Sequence, residues 1–157
     1  MRCGRSGQVR DSVNGNLAQL RQIAVIGSEI IAIRTDSDIV QARHLVRRWS
    51  NQIQLSLIDQ TKLVTASSEL ARNAMVYGGG GTLTIELVET SLRKGLKLTF
   101  EDKGPGIADV ELAIRDGFTT GSGLGLGLGG AKRLVDEFYI DTKIGEGTRV
   151  TVYKWKQ

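Results

Sequence analysis

Glu69 and Asn73 stand four residues apart in a stretch of helical periodicity, so both side chains leave the same face of one helix. A carboxylate beside a carboxamide oxygen suits a phosphate site that holds Mg²⁺. The amide oxygen is a hard neutral ligand, and Mg²⁺ keeps several waters and takes its other ligands from phosphates. Glu69 is then placed to accept a proton from, or to orient, a hydroxyl attacking a terminal phosphate. Taken alone, such a pair is far more often a solvated or capping feature of a helix.

Asp102 ends a strand-like run and is followed by Lys103-Gly104-Pro105-Gly106. An ionised Asp only accepts hydrogen bonds, so it suits an exocyclic amine such as the adenine 6-amino group. The glycines let a flat ligand approach the backbone. Read by itself, Asp-x-Gly-Pro-Gly is as readily a plain turn.

The most specific feature is Gly121-Ser122-Gly123-Leu124-Gly125-Leu126-Gly127-Leu128-Gly129-Gly130. Its backbone amides, with a helix beginning behind them, suit an anion-binding cradle; the plainer alternative is that the leucines pack and the glycines only permit flexibility. Gly125-x-Gly127-x-x-Gly130 formally matches a dinucleotide fingerprint, but no apolar strand precedes it and no βαβ unit surrounds it. No Gly-Lys dipeptide occurs in the chain, which excludes a P-loop.

These residues need elements to position them. Ile30–Ile33 reads as a strand, and Asp36 or Ser37 then caps a helix with Ile39, Ala42, Leu45, Val46 and Trp49 on one face. A second helix, capped at Asp59, carries Leu63, Val64, Leu70, Ala71, Ala74 and Met75 and ends at Gly78–Gly81. Leu83/Ile85/Leu87 and Leu96/Leu98/Phe100 alternate as a hairpin turning at Arg93-Lys94-Gly95. A short helix at 109–115 precedes the glycine-rich segment, and a helix at 130–138 follows it. A last hairpin, Tyr139–Thr142 with Thr148–Trp155, turns at Gly145-Glu146-Gly147. The order predicts an α+β fold, a two-layer α/β sandwich whose mixed sheet has its helices on one face. Residues 1–25 are expected to be a flexible extension, disordered or loosely helical, and 26–157 a single domain.

Composition narrows the classes further. Of 157 residues 40% are hydrophobic and 24% charged, ordinary for a globular domain. The net charge of +4 is gathered near the two ends, with no basic run and few aromatics, so no nucleic-acid partner is expected. Cys3 and His44 are the only residues of their types, which excludes an internal disulfide and a Cys/His zinc site. No apolar run suggests a signal peptide or a membrane span, and the expected location is the cytoplasm.

Taken in order and separation, the motifs resemble the GHKL superfamily of ATPases and kinases (the Bergerat fold), which includes histidine kinases, gyrase, Hsp90 chaperones and MutL. Glu69-x-x-x-Asn73 matches its N box, Asp102-x-Gly104-x-Gly106 the first glycine box, and Gly123-Leu124-Gly125-Leu126 the second. Gly145-x-Gly147-Thr148 matches the last box. The resemblance implies ATP and Mg²⁺ as cofactors, Glu69 as the catalytic residue and Asn73 as the Mg²⁺ ligand. It implies a nucleotide-binding set of Asn73, Asp102, Gly104, Gly106, Ile107, Gly123, Leu124, Gly125, Leu126, Gly127 and Thr148.

Ser68–Asn73, Asp116–Thr120 and Lys132–Phe138 resemble the switch kinases of the bacterial stressosome. Gly129 departs from them, standing where they tend to carry proline. That likeness implies a serine/threonine protein kinase acting on a STAS-domain antagonist, with a PP2C-type phosphatase as the partner it activates. The alternatives are an anti-sigma factor kinase that holds a sigma factor, and a nucleotide-gated binding module that transfers nothing.

Overall fold

Alternating strands and two long amphipathic helices build the molecule. The computed structural model describes the backbone of residues 7–11 together with residues 22–115 and 127–157. In chain order these form β1 (Gly7–Asp11), β2 (Ala24–Ile33), α1 (Asp36–Gln52), α2 (Leu57–Val76), β3 (Gly81–Glu89) and β4 (Lys94–Asp102). Then come α3 (Val110–Ile114), α4 (Gly127–Arg133), β5 (Glu137–Lys143) and β6 (Gly147–Trp155).

The strands make one six-stranded sheet in the order β1-β5-β6-β4-β3-β2. Each neighbouring pair is antiparallel, where a mixed sheet was expected. The reason lies in the connections. A single crossover helix returns the chain to start a parallel strand. Between β2 and β3 the chain instead runs through both α1 and α2, and β3 comes back antiparallel beside β2.

The two-layer arrangement itself is as expected. Ile33, Leu83, Ile85, Leu96, Leu98, Phe100, Ile140, Val150 and Val152 from the sheet join Ile39, Ala42, Val46, Leu63, Leu70 and Ala71 from the helices in one core. Fully burying side chains of this size contributes on the order of 1.5–3 kcal/mol each. The helix-free face carries a smaller cluster of Val88, Tyr153 and Trp155, with Ile23 and Tyr139 against it.

Local boundaries differ from the sequence reading in instructive ways. Thr35, rather than Asp36 or Ser37, caps α1, and it forms a reciprocal capping box with Asp38. Ser56 caps α2 by accepting from the Asp59 N–H, so Asp59 lies inside the first turn. The turn of the first hairpin is tightened by the Thr90 N–H donating to the Arg93 carbonyl at 2.8 Å, one step earlier than expected.

The helix expected at 130–138 ends at Arg133, and Phe138 belongs to β5, opposite Val152. Asp136 makes that break. Its N–H donates to the Tyr153 carbonyl at 2.9 Å, and its carboxylate accepts the Trp155 N–H at 2.7 Å. Both bonds tie the chain to β6 and leave no helical continuation.

Gly7–Asp11, expected to lie in a disordered or loosely helical extension, pairs antiparallel with β5 along Gly7↔Thr142 to Asp11↔Phe138. No apolar alternation announces this strand. What draws it in is the unpaired backbone along the β5 edge, which satisfies any extended segment that reaches it. The start of β2 at Ala24 likewise lies before the boundary expected at residue 26.

Candidate functional site

The C-terminal end of α2 and the adjacent ends of β4, β5 and β6 converge on Asp102. At the helix end the Asn73 carbonyl accepts from both the Tyr77 and Gly78 N–H groups, at 3.0 and 3.2 Å. Gly80 N–H donates to the Ala74 carbonyl at 2.9 Å. Gly79 and Gly80 hold φ of +74° and +106°, the left-handed geometry that ends a helix at glycine.

Asp102 closes β4, opposite Gly81 on one side and Thr148 on the other. Leu96, Leu98 and Phe100 of the same strand are buried in the helix-side core, and side chains alternate along a strand. Asp102 therefore continues the helix-side row. Its Oδ1 accepts the Gly104 N–H at 2.9 Å. A Cβ on Gly104 would stand 2.7 Å from the Gly78 Cα, so the two loops meet here backbone to backbone.

The loop after Asp102 is fastened to the β5–β6 hairpin. The Gly145 N–H donates to the Pro105 carbonyl at 2.9 Å. Gly106, at φ +77°, approaches so closely that a Cβ would lie 2.5 Å from the Lys143 carbonyl oxygen. The Ile107 N–H donates to Thr142 Oγ1 at 3.0 Å. Thr142 in turn lies 3.1 Å from the Gly147 carbonyl oxygen and 2.9 Å from Thr148 Oγ1.

The sequence reading missed Thr142. The signal was present, because Phe138 and Ile140 are core residues and Thr142 follows them on the same strand face, beside Thr148.

Glu69 and Asn73 share one face of α2, as their spacing predicts, and both are half-buried. Among the described residues neither side chain is engaged in a hydrogen bond or ion pair. Helix α4, which starts at Gly127 with φ +61°, packs against α2. Gly123, Leu124, Gly125 and Leu126 lie outside the described residues.

The structure thus brings Asp102, Gly104, Gly106, Ile107 and Thr148 into one bonded group, with Asn73 joined to it through Gly78. Glu69 stands one turn further back on α2. A separate polar concavity on the helix-free face, lined by Thr84, Glu86, Lys97, Thr99, Arg149 and Tyr153 among others, contains none of the residues singled out from sequence.

The donor set also bears on the cation. No group of three or more His, Cys, Asp or Glu side chains suited to a metal ion occurs among the described residues. A site in which Asn73 would offer one hard oxygen and phosphates and waters the rest fits a hard cation such as Mg²⁺ and does not fit a metal that needs thiolate or imidazole ligands.

Comparison with known proteins identifies the family. Residues 58–157 match the family model for histidine kinase-, DNA gyrase B- and HSP90-like ATPases. Over 125 residues the chain is 46% identical to the serine/threonine-protein kinase RsbT of Bacillus subtilis (strain 168), covering 80% of this chain and 94% of that protein. It is 29% identical over 119 residues to the anti-sigma F factor of Thermoanaerobacter sp. (strain X514), covering 73% and 82% respectively. The solved structure of the RsbU and RsbW domains of a Mycobacterium tuberculosis protein superposes with a TM-score of 0.59 at 20% identity. That match covers 83% of this chain and 33% of the other, so the chain spans about a third of that protein, and the likeness concerns fold alone.

The expected two-layer α+β fold is borne out, with an antiparallel sheet in place of the mixed one, and the identity to RsbT supports protein kinase activity. The chain belongs to the histidine kinase-, DNA gyrase B- and HSP90-like ATPase family.

Proposed function

We propose that this chain transfers the γ-phosphate of Mg·ATP to a serine or threonine of a STAS-domain antagonist in a bacterial partner-switching pathway. The observation that carries the reading is the pair of half-buried, unengaged oxygens of Glu69 and Asn73 on the helix that leads into the Asp102 loop. Asp102 would accept from the adenine 6-amino group, while Gly104, Gly106 and Ile107 let the base lie against the backbone. Gly123–Gly127 would enclose the phosphates.

Asn73 would hold Mg²⁺, whose contribution is to neutralise charge on the phosphates. Glu69 would take the proton of the substrate hydroxyl as its oxygen bonds to the γ-phosphorus. The bond from phosphorus to the bridging oxygen breaks, and ADP leaves.

The 46% identity to a serine/threonine-protein kinase supports the acceptor class. In this reading the released kinase also binds and activates a PP2C-type phosphatase, as the resemblance to the stressosome switch kinases implies. No helix among the described residues is long and apolar enough to cross a membrane, and a cytoplasmic location follows from the use of ATP.

Incubation with γ-labelled ATP, Mg²⁺ and the STAS-domain proteins of the same organism tests the reading. Label on a STAS Ser or Thr is expected; ATP binding without any labelled protein would contradict it. A second reading, an anti-sigma factor kinase, rests on the likeness to anti-sigma F factors. Co-purification of a sigma factor rather than a PP2C-type phosphatase would favour it.

A further inference from the structure

Thr142 is buried, only 3% exposed, and its single hydroxyl touches three groups from two separate segments. The Ile107 N–H is a donor, so Thr142 Oγ1 accepts there, at 3.0 Å. The Gly147 carbonyl, 3.1 Å away, can only accept. A threonine hydroxyl carries one proton, and the Gly147 contact uses it. The third contact, 2.9 Å to Thr148 Oγ1, is then satisfied only if Thr148 is the donor. One proton arrangement meets all three bonds at once.

We infer that Thr142 is a positioning residue for base recognition: it draws the Thr148 proton inward and leaves Thr148 with only lone pairs to offer a ligand. Thr148 lies directly opposite Asp102 across the β4–β6 ladder and on the same sheet face. Asp102 is acceptor-only as well, with Oδ1 already taken by the Gly104 N–H. The wall formed by these two residues therefore takes a donor-bearing edge, such as a 6-amino purine, directly or through a water. At the C6 position a 6-oxo purine offers only an acceptor, its donor standing at N1 instead. Thr142 touches no ligand in this arrangement; it acts through Thr148 and through the Ile107 amide that it anchors.

The inference rests on the nucleotide-site reading above, and the test separates the two. The affinities of ATP and ITP (the 6-oxo analogue) are measured for the unaltered chain, Thr142→Val, Thr142→Ser and Thr148→Val. The unaltered chain is expected to favour ATP. Thr142→Val keeps the shape but frees the Thr148 proton, so the ATP:ITP preference falls about tenfold, the worth of one good hydrogen bond.

Thr142→Ser restores the preference, because the hydroxyl is what matters. Thr148→Val collapses the preference to a similar degree, and the double variant Thr142→Val/Thr148→Val adds no further loss, because the two hydroxyls act as one unit. Thr148→Val, which leaves Thr142 in place, carries the test if Thr142→Val folds poorly, and an unchanged preference there would overturn the inference.

A preference unchanged in Thr142→Val, or lost equally in Thr142→Ser, would overturn the inference while leaving the nucleotide site intact. Absence of ATP binding by the unaltered chain would overturn the nucleotide site itself, and this inference with it.

Discussion

Gly78 and Asp102 are in backbone-to-side-chain contact: a Cβ on Gly78 would stand 2.5 Å from the Asp102 Cβ. The first glycine after α2 thus gives the carboxylate its room, and the helix bearing Glu69 and Asn73 is joined to Asp102 without any side chain between. Gly78→Ala is expected to push Asp102 aside and raise the Kd for ATP about tenfold or more, as overpacking of a tight site costs about 1–3 kcal/mol. Gly79→Ala is the control. It meets nothing within 4 Å but sits at φ +74°, so it costs about 1 kcal/mol of stability and leaves ATP affinity in place. Calorimetric titration with ATP and thermal unfolding of both variants check the contrast.

Asp102→Asn preserves shape and places an amide where a carboxylate stood. Loss of a charge-assisted bond to the 6-amino group is expected to raise the ATP Kd at least about tenfold. ATP affinity equal to that of the unaltered chain would remove Asp102 from base recognition.

Ser67 is fully buried on α2, and its Oγ finds no hydrogen-bond partner among the described residues. A buried hydroxyl without a partner costs free energy, so Ser67→Ala is expected to stabilise the fold by about 1 kcal/mol. Its Tm should rise by about 2–4 °C, read by calorimetry. A fall in Tm would mean that the hydroxyl has a partner.

Acid stability should depend on Glu29, which ties β2 to α1. Its carboxylate accepts the Trp49 indole N–H at 2.8 Å, and this bond, opposed by desolvation and helped by Arg48, holds the group below its ordinary value of 4.5. A carboxylate with a lowered folded pKa contributes stability above its unfolded value and loses it as the pH falls through the folded one. Glu29→Gln should therefore lower stability at neutral pH and flatten the decline below about pH 4.5 in denaturant titrations. An unchanged acid limb would show that the contact carries no linkage.

Much of this was legible in the chain. The spacing of Glu69 and Asn73 placed them on one helix face, and the alternation of Leu96, Leu98 and Phe100 placed Asp102 at a strand end. What escaped was set by contacts distant in sequence. The end of α4 is decided by Asp136 bonding to Tyr153 and Trp155, and nothing near residue 136 announces those partners. The pairing of Gly7–Asp11 with β5 comes from an open edge rather than from an apolar pattern. Thr142 was missed because a threonine in a strand reads as ordinary, and its role emerges only from its bonds to Ile107, Gly147 and Thr148.

The proposed transfer is tested most directly by Glu69→Gln. The substitution keeps the size and removes the proton acceptor, so ATP should bind with nearly unchanged affinity while phosphate transfer to a STAS Ser or Thr falls about a hundredfold or more. A variant that binds ATP and transfers phosphate at the rate of the unaltered chain would contradict the assignment of Glu69 as the catalytic base.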